Sequence, residues 1–170
     1  TIKKLLVMRT EAFASSILTN NGTLTISDGA QMYYSRRVTD NAQYYQLGLP
    51  FDVTMANVKL SLFNDKAATL GTHFGIMTYD AASRAQRGKD DNNWVNQTDL
   101  DKLDKNTGYQ LLSSSPYYYE IYFPVTYSKV TESSTPAIAV SVYSPSNGNT
   151  ADQGWNYICS PFTHVYTGNA

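Results

Sequence analysis

Cysteine is the first shortage. One residue, Cys159, stands in a chain of 170. That excludes a disulfide within the chain and any zinc site built on cysteines. Histidine is nearly as scarce, with only His73 and His164, so a nucleophile has few bases to draw on. Charge is thin as well: Asp, Glu, Lys and Arg make up 16% of the residues, against roughly a quarter in an ordinary domain. The net charge of -1 gives no bulk attraction to nucleic acid or to an anionic lipid surface. No stretch approaches the roughly 18 apolar residues of a membrane helix, so direct membrane insertion is not expected. Neither a Gly-x-Ser-x-Gly elbow nor a phosphate-cradling glycine loop occurs.

What is present is tyrosine, at 14 residues, within an apolar fraction of 42%. That fraction is too high for a disordered chain. The length suits one domain, or one domain plus a piece of a neighbour, and is enough to bury a core without staples. Tyr, Ser, Thr, Asn and Gln replace Lys and Glu as surface chemistry. Tyr and Thr favour strands, and scarce Lys and Glu disfavour long exposed helices. The chain opens on Thr1 rather than Met, which reads as a mature or excised piece. Low cysteine fits the cytosol or an exported bacterial protein, and the polar, Tyr-rich surface tilts the reading toward export.

Short strands are expected throughout. Residues 2–8, 14–18, 23–27 and 31–35 are candidates, with Asn20-Asn21-Gly22 and Asp28-Gly29 as turns. Their spacing near ten residues suits either the first strands of a sandwich or the last rungs of a β-solenoid. Further on, 43–49, 59–63, 73–79 and 108–112 read as strands, with Gly75 a candidate bulge. Thr54 and Thr98 could each cap one helical turn. Residues 80–93 read as a polar loop. In 117–126, YYYEIYFPVT, alternation places Tyr117, Tyr119, Ile121, Phe123 and Val125 on one face, and Pro124 marks an edge or an end. Residues 137–143, AIAVSVY, read as a buried strand, and 155–159 as a final strong strand.

One internal echo stands out. Tyr44-Tyr45-Gln46-Leu47-Gly48-Leu49-Pro50-Phe51 matches Trp155-Asn156-Tyr157-Ile158-Cys159-Ser160-Pro161-Phe162. Each is an aromatic-led strand ended by Pro-Phe, so Tyr45, Pro50, Phe51, Trp155, Tyr157, Pro161 and Phe162 are expected in the core. The segments "YYQLGLPFDVTMANV", "FGIMTYDAASRAQRGKDDNNWV", "NTGYQLL" and "GWNYICSPF" occur in that order. Together they resemble a module recurrent in large surface proteins of Bacteroidetes, over roughly Tyr44 to Phe162. The resemblance implies an exported, cell-surface location and a preceding region that is often a β-solenoid or repeat. It implies no enzyme activity and supplies no site residues.

Several residues invite a chemical reading. Asp80 and Arg84 suggest an ion pair pinning the 80–93 loop, or a polar clamp beside Trp94. Asn93 and Trp94 are candidates for ligand contact, with Trp94 either core or sugar platform. Tyr118 points opposite Tyr117 and Tyr119, so one aromatic face is left for solvent or a partner. Asp90-Asp91-Asn92-Asn93 offers oxygen ligands but not the EF-hand spacing, and a solvated turn is favoured. Asp80, Asp90, Asp91, Glu120 and Asp152 are too scattered to set as a hydrolytic pair. Cys159 reads as a buried structural thiol rather than half of a Cys–His dyad.

The expected fold is therefore all-β, an antiparallel jelly-roll-like β-sandwich over 41–170. Residues 1–40 are expected as a solenoid end or as first strands of that sandwich. The expected function is a non-enzymatic structural or adhesive module of a larger exported cell-surface protein. No cofactor or metal is expected. Its partners would be other domains of the same protein, and a glycan or a host or neighbouring-cell protein. A carbohydrate-binding module attached to glycan-processing machinery is the alternative, and a cryptic hydrolase a remote one.

Overall fold

A computed structural model describes residues 4–8, 31–38, 43–88, 92–113, 119–125, 137–146 and 148–159. Among the described residues eleven strands run in chain order. They are β1 (Lys4–Met8), β2 (Gln31–Val38), β3 (Tyr44–Gly48), β4 (Val53–Thr54), β5 (Lys59–Ser61) and β6 (Lys66–Ala67). After these come β7 (Phe74–Tyr79), β8 (Trp94–Gln97), β9 (Lys102–Leu103), β10 (Gly108–Ser113) and β11 (Tyr119–Val125). One α-helix, α1 (Ala81–Arg87), joins β7 to β8, and 3-10 turns cover Met55–Asn57 and Thr150–Asp152.

The strands form three separate sheets, ordered β1-β2-β11-β5-β6, β3-β10-β7-β8 and β4-β9. This corrects the expectation of an all-β, jelly-roll-like sandwich: the sheets do not close, and a real helix interrupts the 80–93 loop. The helix has local causes. The Asp80 side chain accepts a hydrogen bond from the Ser83 backbone N–H at 2.8 Å, a helix N-cap worth about 1 kcal/mol. Ala81, Ala82 and Ala85 are strong helix formers. Gly88, at φ 88° and ψ -179°, ends the turn in a conformation nearly reserved for glycine. A β-carbon there would also sit 3.3 Å from Asp152 Oδ2. Gly88→Ala is therefore expected to lower stability by about 1–2 kcal/mol, read as a reduced urea midpoint; an unchanged midpoint would refute the assignment.

Alternation sets the core on β7 and β10, and on β11 along the face expected. Phe74 and Ile76, Tyr109 and Leu111, and Ile121 and Phe123 are buried at period 2. With Val38, Leu47, Leu49, Phe51, Val53 and Leu103 they make one cluster fed by all three sheets. β2 lies between β1, parallel to it, and β11, antiparallel from Tyr119↔Val38 to Val125↔Met32. Residues 31–38 thus share a sheet with 119–125, and Val38 belongs to the common core. β11 meets β5 only at Tyr122↔Lys59. Pro124, which lacks an N–H, lies beyond that single contact.

Smaller expectations change as well. Gly75 pairs in regular register with Leu112, so it is no bulge. The irregularity lies instead between Lys59 and Ser61. Thr54 precedes a 3-10 turn without a side-chain cap, and the turn expected after Thr98 gives way to β9. Tyr118, Pro161, Phe162, His164, Asp90, Asp91 and the strands expected at 14–18 and 23–27 lie outside the described residues.

The last third departs most from expectation. Residues 137–143 join no sheet and are largely exposed. At Ser141 the Asn156 carboxamide takes the place of a neighbouring strand. Its Nδ2 donates to the Ser141 carbonyl at 2.8 Å, and its Oδ1 accepts from the Ser141 N–H at 3.3 Å. One side chain thus occupies the two backbone groups a neighbouring strand would use. Residues 155–159 are likewise not a strand; they make one antiparallel bridge, Ile158↔Thr107. Two flanking bonds hold that bridge: Gly108 N–H to the Tyr157 carbonyl and Cys159 N–H to the Asn106 carbonyl, both 2.9 Å.

Paired glycines make that docking possible. Gly48 on β3 and Gly108 on β10 are direct register partners. Cys159 packs on Gly48, where a β-carbon would collide with its Cβ and lie 2.7 Å from its Sγ. The Tyr157 ring covers Gly108 in the same way. Among the described residues the two halves of the internal echo therefore touch at Gly48 and Cys159. Tyr45 and Pro50 are half-buried and Phe51 is buried. Trp155 is 52% exposed, which corrects its expected core position: Tyr157 and Cys159 take the glycine-made space, leaving the indole outside.

Burial pushes the Cys159 thiol up from 9.0 to about 11. Burial, and then the Glu120 carboxylate beside it, pushes the Tyr122 hydroxyl up to about 12. Both groups hold their protons more tightly when folded. Their contribution is fully present below the unfolded values and is lost as pH climbs toward the folded ones. Urea midpoints should hold steady near neutral pH and fall between pH 9 and about 12. A flat profile across that window would contradict the burial of both groups.

Candidate functional site

The α1 region gathers most of the residues singled out from sequence, in roles that differ from those expected. Arg84 does not pair with Asp80, whose carboxylate is the helix cap. Instead Arg84 Nε donates to Asp152 Oδ1 at 2.9 Å, with side chains only 13% and 4% exposed. Asn149 Nδ2 supports the other oxygen, Asp152 Oδ2, at 3.0 Å. The Arg84 guanidinium also lies over the Trp155 ring, 4.9 Å from its centroid. The indole N–H donates to the Ala151 carbonyl at 2.7 Å. Arg84, Asp152 and Trp155 thus form a clasp that ties residues 149–155 to the helix.

Asn93 is buried and structural. Its Nδ2 donates to the Gly88 carbonyl at 3.0 Å, its Oδ1 accepts from Ser83 Oγ at 3.3 Å, and its carbonyl accepts from the Asp80 N–H. Arg87 donates to the same Ser83 hydroxyl. Trp94 is wedged edge-on between Tyr79, at 5.3 Å, and Tyr157, at 5.0 Å. Edge-to-face contacts of this kind fix a ring in packing, so Trp94 serves as a spacer under residues 155–159. The exposed indole is Trp155, the one assigned to the core from sequence.

Two clefts open beside this layer. The first, of about 450 Å³, lies between the ends of β7 and β8, the first turn of α1 and the extended segment; Tyr79, Asp80, Gln97, Ser141, Tyr143 and Asn156 line it. The second, of about 400 Å³, runs on toward Asn106, Ile138 and Ile158. Tyr79, Ala81 and Asn156 line both clefts, which therefore adjoin. In the first cleft Gln97 Nε2 is held by Thr78 Oγ1 at 2.8 Å. Asp80 Oδ2 and Gln97 Oε1 make no hydrogen bond among the described residues.

Of the described residues named from sequence as ligand contacts, only Asp80 reaches a cleft wall, and Tyr157, named as core, lines the second cleft. Gln97, Ser141, Tyr143 and Asn156 were missed. Ser141 and Tyr143 were hidden inside a segment that reads as buried strand, and Asn156 inside an aromatic strand motif. The remaining chemistry stays dispersed. His73 Nδ1 accepts from the Thr69 N–H at 2.9 Å within a turn, and Glu120 accepts from the Tyr122 hydroxyl at 3.0 Å. Among the described residues no three His, Cys, Asp or Glu side chains converge as a metal-binding group. No helix there is long and apolar enough to cross a membrane. Comparison with family models, with curated proteins and with solved structures finds no match.

Proposed function

We propose that the chain is a non-enzymatic structural and adhesive module of a larger exported cell-surface protein, and that it grips its partner through residues 137–159. One observation carries the reading. Eight large apolar side chains are exposed among the described residues, and five of them, Val140, Val142, Tyr143, Trp155 and Ile158, fall within 137–159. Scattered exposed apolar groups are ordinary, but a concentration on one stretch favours a contact surface. The clasp through Arg84 and the Asn156 clamp hold that stretch in place before any partner arrives, which reduces the ordering cost of binding. The four-segment resemblance to Bacteroidetes surface proteins supports the exported setting and the company of other domains.

The test is adhesion of beads coated with the chain to surfaces bearing glycans and to surfaces bearing proteins. Retention is expected on at least one. It should be lost in the triple variant Val140→Ser, Val142→Ser, Ile158→Ser, whose side chains already face solvent and whose melting curve should not move. Equal retention of the triple variant would refute the reading, as would enzyme-like turnover of glycan or peptide substrates.

A further inference from the structure

We infer that the cleft between β7, β8, the start of α1 and residues 141–143 binds a neutral oligosaccharide. The inference deepens the adhesive reading and rests on it. A sugar presents two kinds of surface: an apolar C–H face and an array of neighbouring hydroxyls, each both donor and acceptor. The first cleft matches both. Tyr79 and Tyr143 supply aromatic rings, and Asp80 and Gln97 supply a carboxylate and a carboxamide, while the Asn156 carboxamide, bonded to Ser141 and Gly154, holds the wall. Asp80 Oδ2 and Gln97 Oε1 are acceptors that no described residue uses. Such a mixture of ring faces and a few fixed polar groups is the usual make-up of a small-molecule site.

Charge and shape narrow the class. Among the described residues the only charged one lining this cleft is Asp80, and it is acidic. An anionic unit seated in this cleft would therefore face Asp80 with no cation among the described lining residues, Lys105 lining only the adjoining cleft. The volume of about 450 Å³ lies inside the range of about 300–1,000 Å³ for small-ligand sites. The adjoining cleft of about 400 Å³ shares Tyr79, Ala81 and Asn156, so the space suits a chain of sugar units better than one. A peptide added as a strand would use the edge of β8, but β8 offers only Trp94–Gln97. The wall opposite is set by the Asn156 clamp on Ser141, which fixes Tyr143 two residues on.

The test is an array of neutral oligosaccharides built on glucose, mannose, galactose and N-acetylglucosamine, with uronic-acid oligomers and neutral peptides alongside. Neutral oligosaccharides should bind and the uronic acids should not. For the neutral ligand that binds, Tyr143→Ala should weaken affinity by about tenfold, as the loss of one aromatic contact does. Tyr143→Phe should hold it, because the ring is kept. Asp80→Asn, which caps a helix about as well as Asp, should let uronic-acid oligomers bind. Phe63→Ala, at a fully exposed residue outside both clefts, should change nothing.

A second measurement uses the unaltered chain. The side-chain amide resonances of Gln97 and Asn156 should shift as the neutral oligosaccharide is added. Absence of any neutral sugar binding would overturn the inference, and so would peptide binding alone. So would sugar binding that leaves those amides unmoved or is indifferent to Tyr143→Ala. Beads that adhere to protein surfaces while the sugar array stays silent would retain the adhesive reading and refute only this site.

Discussion

Asp152→Ala is expected to lower stability by about 3 kcal/mol, the low end of the cost of leaving one member of a buried ion pair without its partner. The geometry behind the figure is specific. Asp152 is 4% and Arg84 13% exposed at the side chain, and Nε and Oδ1 are 2.9 Å apart. Removing the carboxylate strands a guanidinium between α1 and the Trp155 ring. It also removes the acceptor of the Asn149 Nδ2 that supports Oδ2. For a chain of this size the loss corresponds to a drop in melting temperature of roughly 6–12 °C. The same pair on the surface would contribute under about 1 kcal/mol, so the size of the drop decides between the two descriptions. Replacing both partners, Arg84→Met with Asp152→Leu, should recover much of the loss, because an apolar pair of similar bulk leaves no buried charge unmatched. A loss under about 1 kcal/mol for Asp152→Ala would mean that the clasp is not sealed from water.

Gly48→Ala carries the second large effect, a loss of about 2–3 kcal/mol from overpacking. The new methyl would collide with Cys159 Cβ, an atom tied directly to its backbone, so no rotamer change relieves it. Gly108→Ala meets ring atoms of Tyr157 instead. That ring can swing about its own torsions, so the cost should be smaller. The decisive comparison is the double variant Gly48→Ala, Cys159→Gly. If Cys159 packs directly on Gly48, removing its Cβ should restore most of the stability lost, a coupling that distant sites do not show. Additive losses in the two single variants would place Cys159 elsewhere.

Much of the sheet structure was legible in the residues themselves. β3, β7, β10 and β11 follow runs whose alternation or β-branched and aromatic content marks strands. β11 carries its buried pair, Ile121 and Phe123, on the face that the pattern assigns. The short helix was legible too, and was missed. Asp80 before an Ala-rich turn and Gly88 after it are start and stop signals, but the polar run from Arg84 onward reads as loop when taken by composition.

The errors at the other end have a different origin. AIAVSVY has strong strand propensity, yet propensity is context-dependent, and no sheet edge pairs with it. The backbone N–H and carbonyl of its Ser141 go to a side chain fifteen residues away, Asn156, and no local pattern encodes that partnership. Trp155 was misplaced because an aromatic leading a strand-like run was taken for core, although its counterpart in the echo, Tyr44, is exposed as well. What decides burial is the glycine beneath each residue. Gly108 and Gly48 admit Tyr157 and Cys159 and leave nothing for the indole. The cleft was hidden for the same reason. Its walls come from β7, β8, α1 and residues 141–156, far apart in sequence and joined only by the fold.

The most direct test of the 137–159 face as the gripping surface is hydrogen–deuterium exchange of the intact chain, free and retained on the surface it adheres to. Residues 137–143 stand outside every sheet, so most of their amides should exchange quickly in the free chain. Expected on retention is new protection over 137–143 and around Trp155, with the β2–β11 ladder unchanged. Protection confined to β2 and β11, or none anywhere while the chain remains bound, would contradict the assignment of the face.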